Sequence, residues 1–289
     1  MSPAVERTSL LAGGTRTRLV QAGPAEAAEA VVFVHGNPGS ADDWERLVGA
    51  AARAGKRAVA FDLPDFGETV APPGFEYSAS GYATFVGQAL AELGIERAHL
   101  VVHDFGGPIG LVWAAMNIDA LASVTLIDTG LLPGYRWHSL ARIWRTPVLG
   151  ELFQASATRS AFRLLLNRKE PRGLPREFVE RMYDQYDRRT RRAVLALYRA
   201  TDDPGGMSEA LVQLFAAREI PALVIWGEHD AYLPSSYAQR QREAFPAADV
   251  HVLPASGHWP FADAPDTVER LLAEFLTELS AAPVKSSPA

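Results

Sequence analysis

The chain has no cysteine, no long apolar run and no extended basic stretch, and each absence excludes a class of protein. The lack of cysteine among its 289 residues excludes disulfides, thiolate metal sites and a cysteine nucleophile. No stretch approaches the roughly 20 apolar residues that cross a bilayer. Residues 1–17 also lack the apolar core of a signal peptide. Together these features predict a soluble, cytoplasmic protein.

The charge pattern argues against a nucleic-acid or membrane partner. The formal net charge is −6, and no basic stripe with interleaved aromatic residues is present. The densest basic cluster, residues 188–192, precedes helix-forming Ala and Leu residues, and we interpret it as a solvated helix face. Composition does not choose between a monomer and a homodimer.

Short apolar runs alternate with amphipathic stretches such as residues 82–93 and 109–116. Hydrophobic residues make up 48% of the chain, enough for one large α/β domain or two small ones. Near-continuous apolar runs are typical of strands buried on both faces of a parallel sheet. Six such runs occur, at residues 31–34, 58–61, 100–102, 124–127, 222–226 and 250–253. The alternation predicts an α/β fold with a doubly wound, mostly parallel sheet.

The alternation stops between residues 131 and 217, which carry helical patterns without a convincing strand. We interpret this segment as a helical cap inserted over the strand ends, where ligands bind in open α/β folds. A separate helical domain with no part in the chemistry is the alternative. The α/β core is then predicted at residues 18–130 and 218–280. The tail at residues 281–289, which contains Ser, Pro and Lys, is predicted to be disordered.

The most informative motif lies at residues 100–107, where an apolar run ends in a polar residue, an aromatic residue and two glycines. An apolar helical stretch follows, so the pattern is that of a nucleophile elbow, a sharp strand-to-helix turn that raises one side chain above the sheet. That residue is usually Ser, and here it is Asp104. A carboxylate is a poor nucleophile for forming an acyl-enzyme, but it can attack a saturated carbon and form an alkyl ester. The alternative is that Asp104 only caps the helix.

A second motif, HGNPG at residues 35–39, follows the first core strand. A tight turn here can aim a backbone N–H at a developing oxyanion. Phe105, which follows the predicted nucleophile, would supply the second N–H.

Two further motifs supply an acid and a base. Asp230 follows the strand at residues 222–226 and is placed to orient a histidine, and His258 lies in the loop after the last strand. The order nucleophile, acid, histidine is the chain order of α/β-hydrolases. These positions predict a triad of Asp104, Asp230 and His258. Asp128, which also follows a core strand, is the alternative acid.

Residues 31–275 resemble the α/β-hydrolase superfamily, and the aspartate elbow is similar to that of the branch holding epoxide hydrolases and haloalkane dehalogenases. The resemblance implies that Asp104 attacks a substrate carbon and forms an ester. His258, steadied by Asp230, then activates a water that attacks the carbonyl carbon of the ester. The resemblance also implies that the backbone N–H groups of Asn37 and Phe105 hold the oxyanion, and that no metal or organic cofactor is needed.

The leaving group distinguishes the two activities of this branch. Haloalkane dehalogenases usually place a Trp where this chain has Phe105, which has no side-chain N–H, whereas Asn37 weakly favours a dehalogenase. Epoxide hydrolases usually protonate the leaving oxygen from two cap tyrosines. Tyr198 resembles the second of these. The first aligns most nearly with His138, which could donate a hydrogen bond or, when charged, a proton, and Tyr135 lies close by.

We therefore predict an epoxide hydrolase that acts on a small-molecule epoxide and water. A haloalkane dehalogenase is the alternative, and a protein that binds small molecules without turnover is a second one. An esterase is disfavoured because attack by Asp104 on an ester would give an anhydride. Residues expected to contact the substrate are His35, Tyr135 and Trp137. Trp144 and Phe105 are expected to line the pocket or to pack within the cap.

Overall fold

The computed structural model describes residues 4–168 and 170–281. Its strands are β1 (Glu6–Ala12), β2 (Thr15–Ala22), β3 (Glu29–Val34), β4 (Arg57–Phe61), β5 (Arg97–His103), β6 (Leu121–Ile127), β7 (Ala222–Gly227) and β8 (Asp249–Leu253). They form one sheet in the order β1-β2-β4-β3-β5-β6-β7-β8. β2 pairs antiparallel with β1 and β4, and all the other pairings are parallel.

Helices connect the strands and cover the sheet. They are α1 (Glu45–Arg53), α2 (Ala79–Glu92), α3 (Gly106–Met116), α4 (Ser139–Arg145), α5 (Leu149–Ala155), α6 (Arg159–Leu166), α7 (Arg176–Gln185), α8 (Arg188–Ala200), α9 (Pro204–Ala216), α10 (Ser236–Arg240), α11 (Pro260–Asp263) and α12 (Pro265–Ala281). α1 packs on α12, and α2 packs on α3. Among the described residues, no helix has both the length and the apolarity that a bilayer span requires.

The six apolar runs all lie within the parallel strands, so the predicted α/β class is confirmed. The β3 run Val31, Val32, Phe33 and Val34 is completely buried, as expected for a strand covered on both faces. The sheet begins at Glu6, whereas the core was predicted to begin at residue 18. The difference is the hairpin of β1 and β2, which was not predicted. Both strands begin with four polar residues, among them Thr and Arg, and β1 is mostly exposed.

Helices α4 to α9 form a helical insertion between β6 and β7. No strand occurs at residues 131–168 or 170–217. The insertion is fastened to the core by polar contacts: Arg181 of α7 forms an ion pair with Asp43 at 2.8 Å, and Gln185 hydrogen-bonds Asp42 at 3.0 Å. The predicted tail lies outside the described residues, except for Ala281 at the end of α12.

The interpretation of residues 188–192 as a solvated face is wrong for two of the arginines. Arg189 donates hydrogen bonds to the backbone carbonyls of Gly67 and Thr69 in the core. Arg191 donates to the carbonyls of Gln154 and Ala157. These side chains therefore hold α8 against neighbouring loops, and composition did not reveal those distant acceptors.

Candidate active site

The strand-to-helix turn after β5 holds Asp104 in a strained conformation. Asp104 has φ of 48°, in the left-handed region that non-glycine residues rarely adopt. A side chain at Gly106 would collide with the backbone carbonyl of Val34, and one at Gly36 would collide with Asp104 itself. The Thr129 hydroxyl donates to the Asp104 carbonyl at 2.6 Å and fixes the turn further. This geometry is that of a nucleophile elbow.

The carboxylate of Asp104 is held at one oxygen and faces a histidine with the other. The backbone N–H of Asn37 donates to Oδ1 at 2.7 Å, and the Phe105 N–H also donates to this carboxylate. Oδ2 lies 3.5 Å from Nε2 of His258. Burial acts to raise the pKa of Asp104, but His258, His103 and the Phe105 N–H outweigh it and lower the pKa below its ordinary value. Asp104 is therefore an anion at neutral pH.

Asp230 fixes the orientation of the His258 ring. Its Oδ1 accepts the N–H groups of Tyr232 at 2.7 Å and Leu233 at 2.9 Å, and its Oδ2 lies 2.7 Å from Nδ1 of His258. Burial disfavours a charged His258, yet Asp230 and Asp104 outweigh it and raise its pKa well above the ordinary value. The three predicted triad residues thus lie in one connected array.

Asp128, the alternative acid, lies beside this array without bonding to the histidine. Its Oδ1 accepts the Gly227 N–H at 2.9 Å, and its buried Oδ2 has no well-formed hydrogen bond to the described residues. Burial and the charge of Asp230 raise its pKa well above the ordinary value, which favours the neutral acid. Oxygens of both acids and a His258 nitrogen lie within 4.8 Å of one another, close enough to hold a cation. However, a neutral Asp128 would contribute no charge to such a site.

Two buried groups that the sequence reasoning missed hold the backbone of His258. Glu170, from the helical insertion, accepts the His258 N–H at 3.0 Å, and burial raises its pKa to about 7. His103 donates from Nε2 to the His258 carbonyl at 2.7 Å, and burial lowers its pKa to about 3. His103 directly precedes the elbow, whereas the sequence around Glu170 carries no motif that would have indicated its role.

Asp104 lies where two cavities meet. The large cavity has a volume of about 520 Å³ and the small cavity about 60 Å³. Asp104, Tyr198 and Tyr232 line both of them. Tyr232 was also missed by the sequence reasoning, although it follows Asp230 by two residues.

Tyr198 of α8 lies close to the predicted nucleophile. Its ring packs edge-on against Phe105 with centroids 4.7 Å apart, and its hydroxyl lies close to the Asn37 side-chain amide. Burial raises the pKa of Tyr198 well above its ordinary value, so the phenol keeps its proton. The buried amide oxygen and nitrogen of Asn37 form no well-formed hydrogen bond to the described residues. Both side chains therefore offer donors beside Asp104.

His138 and Tyr135, the two predictions for the first cap donor, both line the small cavity. Nδ1 of His138 accepts the Ala141 N–H at 3.1 Å, and burial lowers the pKa of His138 to about 4. The ring is therefore neutral at pH 7 with its proton on Nε2. The Tyr135 hydroxyl lies 3.5 Å from the Tyr232 carbonyl, a long contact for a hydrogen bond.

The remaining predicted contacts divide between cavity walls and structural roles. Trp137 lines the small cavity, but its indole N–H donates to the Thr201 carbonyl at 3.2 Å. Trp144 lines the large cavity. His35, predicted to contact substrate, lines neither cavity. Its Nδ1 bonds the Gly36 carbonyl at 2.9 Å, and its Nε2 accepts the Leu63 N–H at 3.0 Å. His35 therefore supports the loop that carries Asn37 and is not available to a substrate.

Comparisons with known proteins agree with this architecture. The model of the alpha/beta hydrolase fold family matches residues 29–265. Haloalkane dehalogenase 2 of Mycobacterium tuberculosis is 28% identical over 267 residues, covering 84% of this chain and 86% of the relative. The structure of the haloalkane dehalogenase DbeA from Bradyrhizobium elkani superposes with a TM-score of 0.82 at 23% identity, covering 97% of this chain and all of that one (100%).

An epoxide hydrolase from Vigna radiata has a TM-score of 0.77 at 18% identity, covering 95% of this chain and 98% of that one. At such identities, the structural likeness bears on the fold alone. The family match covers most of the chain. The chain therefore belongs to the α/β-hydrolase family.

Proposed function

We propose that this protein is an epoxide hydrolase that works through a covalent ester on Asp104. The observation that carries the proposal is the arrangement of the Asp104 carboxylate, with Oδ1 held by the Asn37 N–H at 2.7 Å and Oδ2 3.5 Å from Nε2 of His258. A serine or cysteine nucleophile would suit an acyl-enzyme, whereas an ionised carboxylate suits attack on a saturated carbon.

In the first step, Oδ2 of Asp104 forms a bond to a carbon of the oxirane, and that carbon's bond to the ring oxygen breaks. The leaving alkoxide takes a proton from the Tyr198 hydroxyl, which lines both cavities beside Asp104. The neutral Nε2–H of His138 provides a second hydrogen bond from the small cavity. The products of this step are a hydroxyalkyl ester and a tyrosinate.

In the second step, His258 takes a proton from water, and the resulting hydroxide attacks the carbonyl carbon of the ester. The N–H groups of Asn37 and Phe105 stabilise the oxyanion. Ester formation has removed the charge of Asp104, one of the two carboxylates that raise the pKa of His258. The pKa of His258 is therefore lower in the ester than in the free enzyme, and a larger fraction of the rings is neutral. Collapse of the tetrahedral intermediate expels the diol as an alkoxide, which takes the proton of the added hydroxyl group, so that Asp104 is again a carboxylate. The imidazolium proton returns to Tyr198.

The donors around the small cavity favour an oxygen leaving group over a halide. Phe105 has no side-chain N–H, and the indole N–H of Trp137 is already bonded to Thr201. The hydroxyl of Tyr198 can supply the proton that an alkoxide needs and a halide does not. We also propose that residues 131–217 act as a cap, because Leu140, Trp144 and Tyr198 of this segment line the cavities beside Asp104.

A haloalkane dehalogenase is the second candidate function, and one observation favours it specifically. The buried Asn37 amide lines the large cavity without a well-formed hydrogen bond and can donate to a departing halide. Two of the similar proteins described above are also named haloalkane dehalogenases. Both functions use the same ester on Asp104 and differ in the leaving group.

Trapping the ester in His258→Ala tests the proposal. The variant is incubated separately with 1,2-epoxyhexane and 1-bromohexane, and its intact mass is then measured. We expect a gain equal to the whole epoxide, absent from the double variant that also carries Asp104→Asn. A gain from the bromoalkane alone, equal to its alkyl group, would establish the dehalogenase. No adduct from either compound would contradict the covalent mechanism.

A further inference from the structure

The two cavities that meet at Asp104 differ greatly in size. The small cavity, at about 60 Å³, is several times smaller than the large one. The large cavity, at about 520 Å³, lies in the range of sites that bury a drug-sized ligand. A substrate whose reacting carbon contacts Asp104 therefore has a large group in one cavity and a small group in the other.

The walls of the large cavity are mainly apolar. The residues that form its sides are Leu140, Trp144, Phe153, Phe162, Leu165 and Leu166. The polar groups Asn37, Tyr198 and His258 cluster at the end that holds Asp104. Gln154, Ser156 and Arg168 also line the cavity. Oε1 of Gln154 accepts the Tyr186 hydroxyl at 2.9 Å, whereas its buried Nε2 has no hydrogen-bond partner among the described residues. The cavity therefore offers an alkyl chain apolar contact away from the reacting end.

Two of the helices that line the large cavity, α5 and α6, also carry exposed apolar side chains. Leu164 of α6 lines the large cavity and is nevertheless 76% exposed. Leu152 of α5, adjacent to the cavity residue Phe153, is 63% exposed. Val148 and Leu149, at the start of α5, are also exposed. An exposed apolar residue at a cavity, such as Leu164, is suited to contact with an apolar ligand.

We propose that the substrate is an asymmetric, lipophilic molecule with a long unbranched alkyl chain on one side of the reacting carbon. The chain occupies the large cavity and extends toward Leu164. The leaving group and at most a small substituent occupy the small cavity. Terminal long-chain epoxides have this shape, and terminal haloalkanes share it. The inference rests on the proposed attack by Asp104 but not on the choice between epoxide and halide.

A chain-length series tests this substrate class. kcat/KM is measured for terminal epoxides from 1,2-epoxybutane to 1,2-epoxydecane and for the matching 1-bromoalkanes. Because each buried methylene contributes about 0.8 kcal/mol, we expect kcat/KM to rise by up to ~4-fold per added CH₂. We also expect 1,2-epoxydecane to be turned over at least ~10-fold faster than trans-5,6-epoxydecane, because the second butyl group would have to enter the small cavity. A flat or falling series would overturn the inference while leaving the proposed function intact.

Filling the large cavity provides a matched pair of variants. Leu165→Trp should lower the ratio of kcat/KM for the ten-carbon and four-carbon substrates, because the indole would occupy space intended for the chain. Met116→Trp, on α3, is the control, since Met116 is exposed and lines neither cavity. Its ratio should match that of the unaltered protein. An unchanged ratio in Leu165→Trp would contradict the placement of the chain.

Binding measurements separate the substrate class from the chemistry. Calorimetry with Asp104→Asn and a series of 1-alkanols should show affinity that increases with chain length. That result, together with no turnover of any epoxide or haloalkane, would contradict the proposed function and leave the cavity assignment supported. Affinity that does not depend on chain length would overturn the inference whatever the enzyme hydrolyses.

Discussion

Nδ1 of His258 lies 2.7 Å from Oδ2 of Asp230, and both residues are buried beneath the helical insertion. Because Nδ1 carries the proton of this bond when the ring is neutral, Nε2 is left free to accept a proton from water. In the proposed mechanism, the Asp230 carboxylate holds His258 in the tautomer and orientation that ester hydrolysis requires.

Replacing Asp230 with Asn is expected to slow hydrolysis of the ester far more than its formation. An amide offers N–H to Nδ1 and favours the wrong tautomer, and in a comparable triad this change lowers kcat about 10⁴-fold. We therefore expect the ester to accumulate in Asp230→Asn. Rapid quenching and intact mass would measure both steps. Equal slowing of the two steps would contradict this role.

Asp128 is expected to act as a neutral hydrogen-bonding group and not as the triad acid. Asp128→Asn keeps an acceptor for the Gly227 N–H and a donor toward Asp230, so its kcat should remain within about 3-fold of the original. Asp128→Ala leaves the Gly227 N–H unpaired, which should reduce the free energy of unfolding by about 1–3 kcal/mol. Thermal unfolding and steady-state kinetics check both effects. A loss of activity in Asp128→Asn as large as in Asp230→Asn would show that Asp128 is the working acid.

Removing the hydroxyl of Tyr198 should distinguish the two classes of leaving group. General-acid catalysis contributes about 10²- to 10⁴-fold, so Tyr198→Phe should lower kcat for an epoxide by at least about 10²-fold. Turnover of the matching bromoalkane should change much less, because a halide leaves without a proton. Tyr183→Phe is the control, because that half-buried tyrosine lies outside both cavities. Unchanged epoxide turnover in Tyr198→Phe would refute this donor.

Low pH should separate the two chemical steps. The pKa of Asp104 is lowered, so its carboxylate persists as pH falls to the ordinary value of 3.8 and is lost only below it. Hydrolysis needs neutral His258 and is lost as pH falls through the pKa of that ring in the ester. Ester should therefore accumulate in mildly acidic buffer and disappear in alkaline buffer. Acid-quenched mass spectra across this pH range test the order. Formation that fails at a higher pH than hydrolysis would contradict it.

Much of the site was predictable because chemistry-bearing residues directly follow buried parallel strands. The ends of such strands meet at one edge of the sheet, so Asp104, Asp230 and His258 could be brought together from their order alone. The need for glycine at position 106 could also be predicted, because a sharp elbow leaves no room for a side chain.

Other features depended on contacts that no local pattern encodes. Glu170 reaches the His258 backbone from a distant loop of the insertion. His35 was predicted to contact the substrate, yet both of its ring nitrogens are hydrogen-bonded to the protein's own backbone. The hairpin of β1 and β2 was missed because each strand begins with four polar residues and lacks the continuous apolar run of a strand buried on both faces.

The central claim, a covalent ester on Asp104, is tested most directly by a single turnover in ¹⁸O-labelled water. Enzyme in excess over 1,2-epoxyhexane is allowed to react once, and the diol and the peptide containing Asp104 are then analysed by mass. We expect the first diol to carry an unlabelled oxygen from Asp104 and the label to appear in the Asp104 carboxylate. Label in the diol, with Asp104 unlabelled, would mean that water attacks the substrate directly and would contradict the account.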